Sequence, residues 1–575
     1  LSRFGARGSP FATSAHATGR RTFRYFTNRE GARQVQPLPG MRITPRIGLE
    51  LASVVLASSF MGCGNSDPPA DAPVTTPPIY NPYPPGLLPP DLDSEINRVT
   101  AEIDSIFLGA LAQWKALPAP TLAGNPVSLQ NTGLRLVQIL GKLELFDKTI
   151  SVNKNVACSF CHMPYAGFSG PISSVNATTV AYPGSVHFRF GKRKPQAYTY
   201  SPFYPALDFN LTQQDFYGGN FWDLRATGWK IQSADAEQAQ HPPVDTQEHG
   251  FPDTACVVFA ISNSQYRPLF ELIYGNQAFD IAWPADTATI CSTPGGDATL
   301  MGNPTPINLS TIDRGRANTT FDQFALSVDA YERSEDVSAF SSKFDAFLAG
   351  QYQLTADEMA GWQLFRGKAN CNTCHLDGTS NGGTVMKIAS KTPLFTDFTS
   401  ANLGIPRNPM DPIYFENVAD PFGFTANPAG MGFKDLGVGF FLRSEQGGVN
   451  PNADWTPLAP KYDGKMQVAT ARNSDMRPCP TFVKAYMHNG YLKSLKEVVH
   501  FYNTRDAFPG AVCTPATEKI TCWPPPEVTA NLSMSLGNLG LTDAEENQVV
   551  VFLQALTDGF TRPYTDFGTF TGTCP

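Results

Sequence analysis

The chain has 575 residues, enough for two or three domains, and 42% of them are apolar, so sizeable cores can be buried. Charged residues are only 16%, well under the usual quarter, so Asn, Gln, Ser, Thr, Gly and Pro must carry much of the surface, as in many exported proteins. The net charge is −8 with no long basic run beyond the extreme N-terminus, which argues against nucleic acid as a partner.

Residues 1–40 are Arg-rich and lack an apolar period; they read as a segment upstream of a natural start at Met41. After Met41, Arg42 and Arg46 precede an apolar run from Ile47 to Met61, too short to span a bilayer comfortably. The run ends Phe60-Met61-Gly62-Cys63, which resembles a lipoprotein cleavage box. The expectation is a lipoprotein-type signal peptide over 41–63. Cys63 would then become a lipidated N-terminus, holding a periplasmic protein at the membrane. An ordinary export signal without lipid is the alternative. Residues 64–92 hold ten prolines among small polar residues and read as an extended tether.

From Ser94 the pattern turns helical. Ile96, Val99, Ile103, Ile106, Phe107, Leu111 and Trp114 recur at threes and fours, up to a stop before Pro118. Then comes Cys158-Ser159-Phe160-Cys161-His162, echoed at Cys371-Asn372-Thr373-Cys374-His375. At this spacing two thiols can add to one edge of a haem while the next His offers its imidazole to the iron. A thioredoxin-like pair or half a zinc site is the alternative, and recurrence of the whole pattern disfavours it. The motifs are far enough apart for a separate domain around each.

Of eleven cysteines, four are thiols of these motifs and one is Cys63. Cys256, Cys291, Cys479, Cys513, Cys522 and Cys574 remain. In an oxidising compartment they could form three disulfides, with the connectivity open and Cys513 to Cys522 a plausible local loop. Buried free thiols are the alternative.

Between the motifs lie a Gly/Ser-rich loop, Pro164 to Pro183, and two aromatic blocks, Tyr198 to Phe209 and Phe216 to Arg225. Such blocks form cores or the walls of a haem crevice. Residues 321–349 read as a helix. Thr355-Ala356-Asp357-Glu358 is a capping box that starts a helix leading to Cys371. Thr542-Asp543-Ala544-Glu545 is another, starting a helix that carries Val549, Val550, Phe552, Leu553 and Leu556. A helix before a haem motif packed on one after it closes a small cytochrome c domain. The expected fold is mainly α, with long loops and two cytochrome c-like domains, 93–350 and 351–575, each holding one covalent c-type haem.

An ordered series of stretches resembles the bacterial di-haem cytochrome c peroxidase family, which includes MauG. It comprises Leu145-Phe146-Asp147 with Ser151, Gly167-Phe168-Ser169, and Phe221-Trp222-Asp223 with Arg225-Ala226. It continues with Leu364-Phe365, Gly367-Lys368-Ala369-Asn370, Arg472-Asn473, Tyr486-Met487-His488-Asn489-Gly490, and Glu497 to Asn503. The resemblance implies that one haem reacts with hydrogen peroxide and the other stores or relays an electron. Heterolytic cleavage of the O–O bond takes two electrons, so a second haem spares the protein from random oxidation.

The resemblance also implies roles. His162 and His375 are proximal iron ligands. His187, in Gly184-Ser185-Val186-His187, takes the place of a distal ligand on the first iron; a surface-loop His is the alternative. Glu248 takes the place of the carboxylate that shuttles the peroxide proton. Trp222 takes the place of a tryptophan between the haems. Tyr502, fourteen residues after His488, stands where peroxidases have a Met ligand and MauG a Tyr on the second iron. A tyrosinate favours high oxidation states, which leans toward the MauG side. The family also carries an inter-domain calcium, but Lys194, a cation, occupies the position of its Asn ligand and speaks against that ion. A cytochrome c or cupredoxin would supply electrons. Oxidation of a specific protein or organic substrate, and plain electron transfer, are the competing functions.

Overall fold

Helix pairs that cross where a glycine lets two backbones touch organise both halves of this chain. The computed structural model describes residues 80–117, 126–295, 306–378, 392–564 and 568–574. The upstream segment 1–40, the signal-like 41–63 with Cys63, and residues 64–79 lie outside the described residues. In chain order the helices are α1 (Leu92–Lys115), α2 (Pro126–Leu145), α3 (Ser173–Ala177), α4 (Ala234–Ala239), α5 (Thr254–Ser262), α6 (Arg267–Tyr274) and α7 (Thr287–Ile290). They continue as α8 (Thr311–Glu332), α9 (Lys343–Leu348), α10 (Ala356–Arg366), α11 (Val438–Leu442), α12 (Leu495–Thr504) and α13 (Asp543–Gln554). Two short hairpin-like pairs complete the regular structure. β1 (Asp208–Asn210) runs antiparallel to β2 (Asp215–Tyr217), and β3 (Ser400–Ala401) to β4 (Met466–Gln467). The mainly α expectation holds among the described residues.

In the first half α2 packs on α8, and in the second α10 packs on α13. A Cβ on Gly141 of α2 would lie 1.9 Å from the Ser327 carbonyl oxygen of α8. A Cβ on Gly361 of α10 would lie 2.0 Å from the Gln548 carbonyl oxygen of α13. Each glycine is therefore required by close approach, and each sits on the helix that precedes a Cys-x-x-Cys-His motif. Both predicted capping boxes form, Thr355 with Glu358 and Thr542 with Glu545.

The first core gathers Leu140, Leu143, Phe160, Phe168, Val257, Phe324 and Val328, and is completed by Met476 and Phe482 from far along the chain. The second gathers Phe344, Phe365, Phe395, Val549, Phe552 and Leu556. A third cluster joins Leu207, Phe216 and Leu224 to Val438, Phe441, Trp455 and Tyr462. The described residues fall within one compact unit. The chain also returns to the first half through polar contacts. Asp420 pairs with Arg189 at 2.6 Å, and the Thr571 N–H donates to Glu102 at 2.6 Å.

Two sequence expectations change. Residues 321–349 are not one helix: α8 ends at Glu332 and α9 starts afresh at Lys343. Ser342 accepts from the Asp345 N–H while the Asp345 side chain takes the Ser342 N–H, so a new capping box interrupts the run. The Pro-rich stretch is not a free tether up to residue 92. Tyr83 and Leu87 are buried, and the Tyr83 hydroxyl donates to the Phe188 carbonyl at 2.8 Å and to Glu416 at 2.5 Å. The six remaining cysteines pair as Cys256–Cys291, Cys479–Cys574 and Cys513–Cys522, leaving the four motif thiols free.

Filling either helix crossing forces the backbones apart. Gly141→Val and Gly361→Val should each destabilise the fold by about 1–3 kcal/mol, as overpacked cores do. Thermal unfolding checks this; unchanged midpoints for both variants would show that the crossings are looser than described.

Candidate functional site

Each Cys-x-x-Cys-His motif is a single tight turn. Ala157 is extended, then Cys158–Phe160 closes a 3-10 turn, with the Cys161 N–H on the Cys158 carbonyl at 3.2 Å. The second motif repeats this, with the Cys374 N–H on the Cys371 carbonyl at 3.2 Å. Both histidines are oriented by main chain. His162 Nδ1 meets the Phe168 carbonyl at 3.2 Å and His375 Nδ1 meets the Phe395 carbonyl at 2.9 Å. An Nδ1 that donates leaves the Nε2 lone pair free for a metal. Burial lowers His162 to about 4 and also lowers His375, so both rings are neutral at neutral pH. Phe168 and Phe395 hold φ of +56° and +52°. Non-glycine residues in this region cost of order 1–3 kcal/mol, and here the strain turns each carbonyl toward its histidine.

Each turn opens onto its own cavity, with about 1750 Å³ of unfilled space at the first and 1930 Å³ at the second, solvent at the mouths included. Cys158, Cys161 and His162 line the first with Leu145, Tyr182, Tyr198, Phe324 and Val328. Cys371, Cys374 and His375 line the second with Phe365, Leu495, Val499, Val549 and Leu553. Burial pushes Cys158, Cys371 and Cys374 up to about 12. These are neutral thiols in apolar walls, unlike the low-pKa thiols of a redox pair or a zinc site. Free paired thiols, an oriented neutral imidazole and a large apolar cleft fit a c-type haem at both places.

Trp222 stands in the walls of both cavities. Its indole N–H donates to the Lys194 carbonyl at 3.1 Å. The turn that carries it is closed by Asn220 pairing with Ala226, and holds Phe221 at φ +69° and Leu224 at +65°. Asp223 is locked between Arg193 at 2.7 Å and Arg225 at 3.0 Å. Those two guanidiniums hold its carboxyl well below the usual range.

Glu248 lies in the wall of the first cavity. Burial, then the charge of Asp245, raise its carboxyl to about 7; Arg225 and Lys192 pull the other way. That value suits proton exchange near neutral pH. Its carbonyl accepts the Ser185 N–H at 2.6 Å, which ties it to the loop that carries His187.

His187 is not brought to the first cavity. It is exposed, with Nε2 on the Asn155 side-chain amide at 2.9 Å, away from the place expected of a distal ligand. The loop around it is clamped. A Cβ on Gly184 would lie 2.3 Å from the Gln247 carbonyl oxygen, and Ser185 Oγ donates to Asn155 at 2.6 Å. Arg189, only 2% exposed, pairs with Asp420 and donates to the Gly295 carbonyl at 2.7 Å. The Phe190 N–H donates to Glu416 at 2.9 Å. With Val186 and Arg189 turned inward, His187 faces solvent.

Tyr502 does line the second cavity, together with Met487. It sits on α12, capped by Ser494, whose cavity face carries Leu495, Val498, Val499 and Tyr502 at threes and fours. Burial raises its hydroxyl above the ordinary range, with the Cys371 and Cys374 thiols adding to the shift.

The sequence did not flag two features. His488 Nε2 is buried in the second wall without a protein partner, although its loop belongs to the resemblance series. Asp235 and Glu332 form a buried carboxyl pair in the first wall, a contact across nearly a hundred residues with no local signature. Lys194 reaches both walls. Its ammonium donates to Ser169 Oγ at 3.0 Å and to the Pro195 carbonyl at 2.8 Å. Among the described residues no group of three or more His, Cys, Asp or Glu is placed to hold a metal ion.

Residues 137–353 match the di-haem cytochrome c peroxidase family. The methylamine utilization protein MauG of Paracoccus denitrificans is 26% identical over 426 residues, 73% of this chain and 88% of that protein. The cytochrome-c peroxidase IdrP1 of Denitromonas iodatirespirans is 23% identical over 445 residues, 76% of this chain and 85% of that protein. The crystal structure of the diheme peroxidase BthA from Burkholderia thailandensis superposes with a TM-score of 0.51 at 20% identity, over 78% of this chain and 91% of that one. These matches make the chain similar to the di-haem cytochrome c peroxidase and MauG family of oxidoreductases, with the family match itself confined to residues 137–353.

Glu248 accepts a proton only as carboxylate. With its titration near 7 rather than the usual 4.5, the active fraction grows as pH rises through about 7. Peroxide turnover, as kcat/KM, should climb through that range and level above it. Glu248→Gln should lower it by roughly 100-fold or more and remove the step. A variant that keeps the wild-type pH profile would assign the proton transfer elsewhere.

Proposed function

We propose that this protein is a di-haem c-type oxidoreductase that reduces hydrogen peroxide to water, with electrons passing from the second haem site to the first. The observation that carries this is the shared wall: two cavities, each with its own haem-attachment turn, meet at Trp222. Haem, when bound through Cys158 and Cys161 and through Cys371 and Cys374, supplies the redox-active iron that the side chains lack. His162 and His375 would hold the two irons, each ring kept in one tautomer by its phenylalanine carbonyl.

Reduction of peroxide to two waters consumes two electrons and two protons. Glu248 takes the proton from the near oxygen of peroxide and returns it to the far oxygen, which departs as water. Its raised titration leaves the carboxyl able both to accept and to give a proton near neutral pH. Trp222 offers a polarisable ring between the sites, and its bond to the Lys194 carbonyl fixes that ring in place. A small redox protein such as a cytochrome c or cupredoxin would deliver the electrons.

A second reading, MauG-like oxidation of a protein or organic substrate, is favoured by Tyr502. A phenol in that wall gives up its proton only to a strong positive charge such as ferric iron, and the resulting anion stabilises higher oxidation states. The outward-facing His187 points the same way, since it stands away from the first cavity. Optical spectra of the ferric protein should lack the long-wavelength charge-transfer band of thioether ligation, and Tyr502→Met should gain it. That band already in wild type would make Met487 the ligand and return the protein to ordinary peroxidase chemistry.

The protein is also proposed to be periplasmic and lipid-anchored at Cys63. Support comes from the apolar run before Cys63, from three disulfides, and from family members that typically work in the periplasm. No helix of the described residues is long and apolar enough to cross a membrane. Cys63→Ala should move the protein from the membrane to the soluble fraction; equal membrane association would remove the lipid anchor.

A further inference from the structure

Lys194 and Asp435 are the charged residues shared by the two cavity walls. Asp435 is neutralised, since Arg193 grips it at 2.6 and 2.8 Å. Lys194 is different. Both acceptors of its ammonium, Ser169 Oγ and the Pro195 carbonyl, are uncharged. Burial lowers it to about 8, so it keeps its proton at neutral pH. The neighbouring Lys484 is only 6% exposed and donates to the Asn473 and Met476 carbonyls at 3.0 and 2.9 Å. Burial and the Lys194 charge drive Lys484 well down, toward the neutral amine. Among the described side chains shared by both cavity walls, Lys194 is thus the cation without a carboxylate partner from the protein. A buried cation without a carboxylate is costly unless something nearby repays it.

The backbone of Lys194 is anchored independently of its side chain. Its N–H donates to the His488 carbonyl at 2.7 Å, and its carbonyl takes the Trp222 indole. Replacing the side chain therefore changes the charge and leaves the wall's main-chain bonds in place.

We propose that the Lys194 ammonium is the fixed cation of the inter-haem wall, standing where the family would place calcium, and that it acts on both iron centres at once. This rests on the di-haem reading above. An electron added to a ferric iron lowers the charge of that centre by one. A nearby cation, weakly screened in the interior, therefore favours the reduced form of each. Lys194 is a positioning residue for charge and takes no part in bond making.

The test uses the purified holoprotein. A pyridine-haemochrome assay of wild type comes first; fewer than two c-type haems per chain would defeat the di-haem reading itself, before any variant is made. Potentiometric titration with dithionite, followed optically, then gives both midpoint potentials. Lys194→Gln should lower the reduction equilibrium constant of each haem about tenfold, about 59 mV for a one-electron couple. Lys194→Arg should leave both close to wild type. Exhaustive chelation of calcium from wild type should shift neither potential. A Lys194→Gln protein with two haems and one or both potentials unmoved would overturn the proposal. So would a wild type whose potentials move on chelation, a result that stands even if the variants fail to load haem.

Discussion

The structure depends on the hydrogen bond that each motif histidine makes to a phenylalanine carbonyl. His162 and Phe168 form it in one half, His375 and Phe395 in the other. The bond selects the tautomer that leaves Nε2 open, and it fixes the plane of the ring over the cavity. It requires a strained backbone at both phenylalanines, which the packed rings hold in place. Phe168 touches Tyr198 and Tyr564, and Phe395 touches Phe344, Phe365 and Phe552. The glycine crossings bring the helices close enough to seat those rings.

The same arrangement is built twice, and the two copies are then joined by side chains distant in sequence. The loop that supports Glu248 is held by Asp420 and Glu416 from the second half of the chain. Glu416 alone accepts from Tyr83, Phe190 and Gln247, and Gln247 is the neighbour of Glu248. Buried ion pairs of this kind add little net stability, because desolvation cancels most of the attraction. What they fix is geometry: Arg189 inward, His187 outward, Glu248 in the wall of the first cavity.

Local chemistry was legible in the sequence. The two attachment turns, both capping boxes and α1 follow from spacing that needs no tertiary knowledge. Glu248, Trp222 and Tyr502, assigned through the ordered resemblance, do lie in cavity walls. The outward placing of His187 was not legible, because a loop histidine reads identically whether it faces a cavity or solvent; the pair that clamps its loop, Arg189 with Asp420, joins residues 231 positions apart. The contacts that join the two halves were illegible for a related reason. The returns of residues 411–435 and 568–574 to the first half rest on side-chain contacts, and composition does not change where they begin. The glycine crossings also escaped, since Gly141 and Gly361 carry no signal until the partner helix is in place.

The account makes the two cavities one redox unit, so the most direct test follows both at once. One equivalent of hydrogen peroxide is added to the fully ferric holoprotein, and electron paramagnetic resonance is recorded after rapid freezing. The account predicts that the ferric signals of both haems fall together, each giving up one of the two electrons that peroxide requires. Loss of one signal alone, with the other haem taking no part at any point in the reaction, would contradict it.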